Sequence, residues 1–376
     1  MCEFIKIYLK YQIEEILNNK VLLGMSGGVD SSVSALLLKQ SGYEVIGTTL
    51  ELFRGSSCCN ANTMLDAKNI CNQIGITHFT YDYKDLFKEK IIDYFIDSYK
   101  NNLTPNPCVE CNRFLKFGAM WEKAKELGCD HIATGHYAKV EYSDLYGRYV
   151  LKKSNAGHKD QSYVLWCIPK ELLEHIVFPL ANFNSKDEIR KIASENNLKV
   201  ANKPDSEDIC FIPDGDYKKY LEENSDIAPK EGNIVNTEGK VLGKHQGLYR
   251  YTIGQRKGLG IANPVPLFVI GFNNEKNELI VGEEDKIYSK EALVENINLL
   301  AIDTIEEPIT VDIKTRYSAR SAKGTISQLK DENGNLIDKI LIEFDEPQPR
   351  ITPGQSAVFY IDDVVIGGGI FSNKNS

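Results

Sequence analysis

The chain has 376 residues, 42% hydrophobic and 26% charged, with a formal net charge of −9. That length exceeds one ordinary core, so two or three domains are expected, and no apolar run approaches the ~20 residues of a membrane span. The negative charge argues against a general nucleic-acid binder but leaves room for a local basic patch. Residues 1–19 scatter Lys and Glu through an apolar pattern and lack a signal peptide's continuous core, so an amphipathic N-terminal extension is expected.

The stretch VLLGMSGGVDSSVSALLLKQSGYEVIGTTLEL follows. Val21–Leu23 reads as a short buried strand, Gly24 to Ser32 as a glycine-rich turn, and Val33–Gln40 as a helix closed by Gly42. Tyr43–Leu52 reads as a second strand. This βαβ order predicts a parallel sheet in an α/β domain. Such loops bind phosphate because consecutive backbone N–H groups and the helix dipole point at the anion. The loop is neither a Walker A sequence, which needs a Lys-Ser/Thr pair, nor a Rossmann GxGxxG. Asp30 would be out of place beside a phosphate unless a magnesium ion lay between them.

Nine cysteines, an odd number in a long chain, favour a reducing cytosol. Cys71 and Cys129 sit where helical patterns run into strands, and Cys167 in SYVLWCI reads as strand core. Buried structural thiols are expected at all three. Cys210 differs, because KPDSEDICFIPDG is polar and loop-like, where functional side chains concentrate. Glu207 and Asp208 beside it would raise its pKa unless they point away. In TPNPCVECNRFLKFG, Cys108 and Cys111 form a Cys-x-x-Cys pair behind two prolines. By itself the pair is open to a zinc site, a redox pair, part of an iron–sulfur site, or a single catalytic thiol.

Beyond residue 215 the pattern turns to strands. EGNIVNTEGKVLGKHQGLYRYTIGQRKGLGI places short strands between glycine turns and predicts a small β-rich domain. From about Asp285, alternating strands (VDIKTRY, KILIEFD, QSAVFYI, VVIGGGIF) and a turn at Asn333–Asn335 predict a β-barrel. The expected division is an extension at 1–19, an α/β domain at 20–215, a central β-rich domain at 216–284 and a barrel at 285–376. Lys314, Arg316, Arg320 and Lys323 form a local basic run, readable as an RNA-facing patch or as a solvated strand edge.

The loop Ser26-Gly27-Gly28-Val29-Asp30-Ser31 closely resembles the SGGxDS loop of the pyrophosphatase-loop ATPases, whose parallel-sheet domain is of the adenine nucleotide alpha hydrolase type. With TPNPCVECNRFLKFG, HIATGHYAKV, KDQSYVLW, KPDSEDICFI, YTIGQRKGLGI and ITPGQSAVFY in that order, the chain from about Lys20 to its end resembles the tRNA-specific 2-thiouridylases. The resemblance implies ATP-dependent sulfur transfer to C2 of the wobble uridine of tRNA. It implies ATP, with Mg²⁺, held by Gly24, Met25, Ser26, Gly27, Gly28, Val29, Asp30 and Ser31. Gly135 would approach the nucleotide where a side chain would not fit. Leu50 stands where the family usually has Met beside the adenine.

The resemblance also implies a persulfide on Cys210, loaded by an outside sulfur donor or relay protein, and assistance by Cys111, leaving a Cys111–Cys210 disulfide for later reduction. Many relatives carry Asp where this chain has Cys108, so that mechanism does not require Cys108. An iron–sulfur cluster on Cys58, Cys59, Cys108 and Cys111 is possible but not favoured, and a zinc site would need adjacent Cys58 and Cys59 as ligands, an awkward geometry. Expected tRNA contacts are Asn106, Pro107 and Cys108 at the target base, His136, Lys159, Asp160 and Gln161, and Arg316, Tyr317 and Gln355 in the C-terminal part. The target base must leave the anticodon stack to reach such a site, and an Arg–Tyr pair suits single-stranded RNA. The rivals are an amide-forming synthetase with the same loop, which would need neither Cys111 nor Cys210, and an RNA-binding protein with a relic loop. The implied setting is the cytoplasm, with no membrane association.

Overall fold

The structure, a computed structural model, describes residues 19–53, 61–203 and 209–373. The expected N-terminal helix and Cys2, Cys58, Cys59, Glu207 and Asp208 lie outside the described residues. The chain divides into two compact units, Met1–Ile91 with Cys108–Pro213, and Ile92–Pro107 with Asp214–Ser376.

In the first unit the strands are β1 (Lys20–Gly24), β2 (Glu44–Glu51), β3 (Thr77–Asp82), β4 (His131–Ala133), β5 (Lys139–Ser143), β6 (Arg148–Lys152) and β7 (Ile176–Val177). Five of them form a parallel sheet in the order β3-β2-β1-β4-β7. β1 is central, and Val21, Leu22 and Leu23 are fully buried because helices cover both faces of a parallel sheet. The order reverses beside β1, so the loops after β1 and β4 flank a topological switch point, the usual ligand crevice of open α/β sheets. Helix α1 (Val29–Gln40) buries Val29, Val33, Ala35 and Leu38 in a core shared with Ala67, Ile70 and Cys71 of α2 (Ala61–Ile74) and with Ile189 and Ala193. β5 and β6 pair as an antiparallel hairpin.

Two local expectations change. Helix α1 starts at Val29, not Val33, because Gly28 occupies the N-cap and Asp30 then sits in the first turn, where the helix dipole favours a carboxylate. Cys167 is buried as expected, yet it lies on a turn after the 3₁₀ segment Ser162–Leu165 rather than on a strand. Its thiol donates to the Val109 carbonyl at 3.2 Å, so the apolar run there satisfies packing without pairing into a sheet.

The second unit holds two β assemblies. β8 (Gly232–Val235), β9 (Val241–His245), β10 (Phe268–Asn273) and β11 (Glu278–Gly282) form a sheet in the order β10-β11-β8-β9, with Ile234, Val269, Leu279 and Val281 as its core. The remaining strands are β12 (Tyr288–Leu299), β13 (Ile309–Lys314), β14 (Ala322–Lys330), β15 (Leu336–Pro349), β16 (Ser356–Ile361) and β17 (Val364–Phe371). They run β12-β15-β14-β13-β16-β17 and close through β12–β17 pairing, which removes both sheet edges. Alternation at period two puts Val311, Ile313, Ile326, Ile340, Ile342 and Phe344 inside the barrel. The fold class is therefore the expected one: a parallel α/β domain, a small β domain and a barrel.

Candidate functional site

The segment between β1 and α1 is short and tightly held. The Ser26 amide donates to Ser31 Oγ at 3.3 Å, and the hydroxyls of Ser31 and Ser32 donate to the Gly28 carbonyl at 3.2 and 2.7 Å. The Met25 amide donates to the Thr48 carbonyl at 2.7 Å, and Thr49 Oγ1 donates to the Met25 carbonyl at 2.8 Å, which fixes the loop's origin on β2. Leu50 is buried near the carboxyl end of β2. Two glycines are demanded by the geometry. Gly27 has φ +68°, and a Cβ there would lie 2.3 Å from the Thr63 carbonyl oxygen. A Cβ on Gly135 would lie 2.9 Å from backbone atoms of both Asp30 and Ser31. Gly135 thus lies directly against the first turn of α1, at the switch point.

Three side chains far apart in sequence converge on this loop. Asp30 accepts from the Tyr137 hydroxyl at 2.8 Å and from Lys186 Nζ at 2.9 Å. Lys203 donates to the Gly27 carbonyl at 2.9 Å and pairs with Asp66 at 2.9 Å. Lys186 is the first residue of the helix Lys186–Glu195, whose N-cap Ser185 accepts from the Glu188 amide at 3.4 Å. The sequence reading missed Tyr137, Lys186, Lys203 and Asp66. Tyr137 and Lys203 stand inside the quoted HIATGHYAKV and KPDSEDICFI motifs, and the absence of a Walker lysine was the signal that a cation must come from elsewhere. The cradle fits a polyphosphate: backbone N–H groups at the start of α1, glycines at the closest approaches, and two ammonium groups at its flanks.

The thiols fall into two classes. Burial pushes Cys71 up to about 12, Cys129 to about 11 and Cys167 to about 12, so these three are protonated and unreactive at neutral pH. Cys108 is exposed, while Cys111 and Cys210 are half-buried. Cys111 ends the helix Pro107–Cys111, which continues through a π-helical stretch, Asn112–Ala119, into Met120–Glu126. Wide π turns recur beside functional sites because they re-aim side chains without breaking the helix.

The segments that hold Cys111 and Cys210 each touch the helical stretch Lys84–Asp93. Phe211, next to Cys210, meets Phe87 edge-on at 5.8 Å, and Lys90, one turn later, lies 5.7 Å from the Phe114 ring. Residues three apart share a helix face. Between the cysteines of the CxxC pair, burial raises the Glu110 carboxyl, with the Arg113 guanidinium 3.8 Å away opposing it. Among the described residues no group of three or more His, Cys, Asp or Glu side chains is arranged to hold a metal ion, and Cys58 and Cys59 lie outside them.

The expected RNA-contact residues are distributed over both units. In the first, His136 is buried, its Nδ1 2.7 Å from Thr134 Oγ1 and its Nε2 3.5 Å from Lys116 Nζ. Burial and then Lys116 hold its pKa well below the ordinary value, so it is neutral. Asp160 accepts from the Ser154 amide at 2.9 Å and the Ser162 hydroxyl at 2.6 Å, and Gln161 accepts from the Tyr137 amide at 2.9 Å. Those two side chains shape the turn that presents half-buried Lys159. In the second unit, Arg316 and Tyr317 occupy the β13–β14 connection, with Lys314 Nζ 5.3 Å from the Tyr317 ring. Pro107 opens its helix as a first-turn proline, directly after Asn106. Gln355 lies on the turn before β16.

Comparison with known proteins covers nearly the whole chain. Residues 19–214 match a family model described as tRNA methyl transferase HUP domain. Residues 218–283 match the tRNA methyl transferase PRC-barrel domain, and 289–371 the aminomethyltransferase beta-barrel domain. The chain is 46% identical to tRNA-specific 2-thiouridylase MnmA of Clostridioides difficile (strain 630), over 95% of this chain and 99% of that protein. This chain belongs to the tRNA-specific 2-thiouridylases. Similarity to the 2-thiouridylase MnmA of Acetivibrio thermocellus is also 46%, over 93% of this chain and 98% of that protein. A 2-thiouridylase of Caldanaerobacter subterraneus subsp. tengcongensis is 44% identical over 95% of this chain. The 2-thiouridylase family assignment therefore takes in the parallel sheet, the small β domain and the barrel together.

Proposed function

We propose that this chain is a tRNA-uridine 2-sulfurtransferase that uses ATP and two cysteines to replace the C2 oxygen of the wobble uridine with sulfur. The observation that carries the proposal is the cradle at the start of α1, where Gly27 and Gly135 leave room only for backbone and Lys186 and Lys203 flank the loop. It occurs in a chain 46% identical to 2-thiouridylases. Methyl transfer would call for neither that cradle nor the half-buried thiols Cys111 and Cys210.

A carbonyl oxygen leaves poorly as oxide, and bound ATP supplies the adenylyl group that turns it into a departing AMP. The α1 N–H groups hold the phosphates, and Lys186 and Lys203 neutralise them, exchanging their present partners Asp30 and Asp66 for phosphate oxygens. Asp30, so released, would be the carboxylate that holds Mg²⁺. Leu50 offers an apolar wall to the base. Cys210 carries the incoming sulfur as a persulfide from an outside donor. The Cys111 thiolate attacks the Cys210 Sγ and displaces hydrosulfide, which adds to C2 as AMP leaves. The resulting Cys111–Cys210 disulfide is reduced by an external thiol, as in ordinary exchange. Asn106, Pro107 and Cys108 are the proposed contacts of the target base, and His136 is a further tRNA contact in this reading. Lys159, Arg316 and Tyr317 hold the anticodon region.

We read the domain boundaries as 20–215, 216–284 and 285–376, and the setting as cytoplasmic; among the described residues no helix is long and apolar enough to cross a membrane. Changing Cys111 or Cys210 to Ser and assaying tRNA with ATP and a persulfide donor tests the proposal. Thiolation is expected to vanish in both variants; thiolation at the wild-type rate in either would refute the paired-thiol mechanism.

A further inference from the structure

The segment 92–107 belongs with the second unit although the sequence around it builds the first. Phe95 meets Tyr220 edge-on at 6.5 Å, Tyr99 stacks on Tyr217 at 4.8 Å, and Lys100 pairs with Asp226 at 2.6 Å. Asn102 donates to Asn274. Three contacts then meet at Thr104. Its amide donates to the Pro353 carbonyl at 2.9 Å, and its carbonyl accepts from Gln355 Nε2 at 2.7 Å. Gly354, at φ +89°, comes so near that a Cβ there would lie 2.8 Å from the Thr104 nitrogen.

We propose that Gln355 is a positioning residue, which locks Thr104 and thereby sets where the helix carrying Cys108 and Cys111 begins. The proposal rests on the sulfurtransferase function above and gives Gln355 a task within the enzyme in addition to the tRNA contact that the resemblance implies. Its amide donor is already given to a backbone carbonyl of the enzyme.

The link from Thr104 to the thiols is stiff. Thr104 and Asn106 each precede a proline, which confines them to extended conformations, and Pro105 and Pro107 have φ fixed by their rings. Both prolines are buried. Four residues of extended chain span at most about 14 Å, with little slack to absorb a displaced anchor. A shift at Thr104 therefore passes to Asn106 at the target base and to Pro107, the first residue of the Cys111 helix. Misplacement of about an ångström at reacting groups costs rate rather than affinity.

The test compares full-length wild type, Gln355→Met, Gly354→Ala and Gln355→Lys. Without tRNA, hydrogen exchange at the Thr104 amide and alkylation of Cys111 are followed; Pro105 and Pro107 have no amide, so the 101–107 peptide reports cleanly. With tRNA, kcat and KM for thiolation are measured. Gln355→Met and Gly354→Ala should each speed Thr104 exchange roughly tenfold, as expected for loss of one anchoring hydrogen bond. Both should alter the Cys111 alkylation rate without tRNA and lower kcat about tenfold. Gln355→Lys, which restores an N–H donor of similar reach, should return kcat to within about threefold of wild type. Unchanged exchange, alkylation and kcat in Gln355→Met, with only KM for tRNA raised, would overturn the assignment and leave Gln355 an RNA contact alone. Wild-type enzyme that forms no 2-thiouridine would refute the function instead, while the tRNA-free exchange would still decide the role of Gln355.

Discussion

At the scale of single residues, the loop between β1 and α1 has no Walker lysine. The two ammonium groups arrive from residues 186 and 203, and in this structure each rests on a carboxylate, Asp30 or Asp66. Both pairs are partly exposed, so each adds little to stability; on the proposed function they keep the lysines ready for phosphate oxygens. Lys203→Met is expected to weaken ATP binding about tenfold or more, the worth of one charge-assisted contact, with the melting temperature nearly unchanged. Titration calorimetry without tRNA measures it. Gly135→Ala acts differently, because its Cβ would press on backbone at 2.9 Å that has nowhere soft to yield. About 1–3 kcal/mol of stability and most ATP affinity should be lost, checked by thermal unfolding and the same titration. His136 offers a pH signature. Its folded pKa lies well below the ordinary 6.5, so the unfolded chain binds more protons in the window beneath 6.5. Its contribution is complete above 6.5 and is lost as pH falls below it. Thermal unfolding from pH 7.5 to 5.5 should show a shallower acid loss in His136→Gln than in wild type.

Among the elements, what was legible in the sequence was local. Strand β1, the glycine loop, the alternating barrel strands and the Asn333–Asn335 turn follow from periodicity and from glycine chemistry within a few residues. At that turn Asp331 Oδ1 accepts both the Asn333 and Asn335 amides at 2.9 Å, a closed local motif. The start of α1 was misjudged by four positions because Val29-Asp30-Ser31-Ser32 lacks an apolar stripe, although Asp and Ser suit a first helical turn. Cys167 was misread as strand because a buried apolar run has no period to distinguish strand from turn. The lysines at 186 and 203 and the Thr104 anchor were not legible at all. Each depends on a partner more than 130 residues away, and one sequence carries no record of such pairings. The helix Lys186–Glu195 ties the two kinds of information together. Ser185 caps it through the Glu188 amide and so fixes Lys186 at its first position. Ser185→Ala should cost about 1 kcal/mol in unfolding and weaken ATP binding a few-fold, a double effect that an ordinary cap would not show.

For the whole molecule, a net charge of −9 has to be reconciled with an RNA substrate. We propose the β13–β14 connection of the barrel as the local RNA surface, because Arg316 and exposed Tyr317 follow Lys314 there. Arg316→Ala should weaken tRNA binding and flatten its dependence on salt concentration, seen in filter binding across a salt series. Binding with an unaltered salt slope would remove this connection from the RNA surface. The central claim is that one chain joins an ATP cradle to a pair of thiols in order to thiolate uridine. Its most direct test is mass analysis of nucleosides from tRNA incubated with the enzyme, ATP and a persulfide donor, with AMP and pyrophosphate followed in the same reaction. The account predicts 2-thiouridine at the wobble position, formed with matching AMP and pyrophosphate and only when ATP is present. Thiolation that proceeds equally without ATP, or nucleotide cleavage that leaves every uridine unmodified, would contradict it.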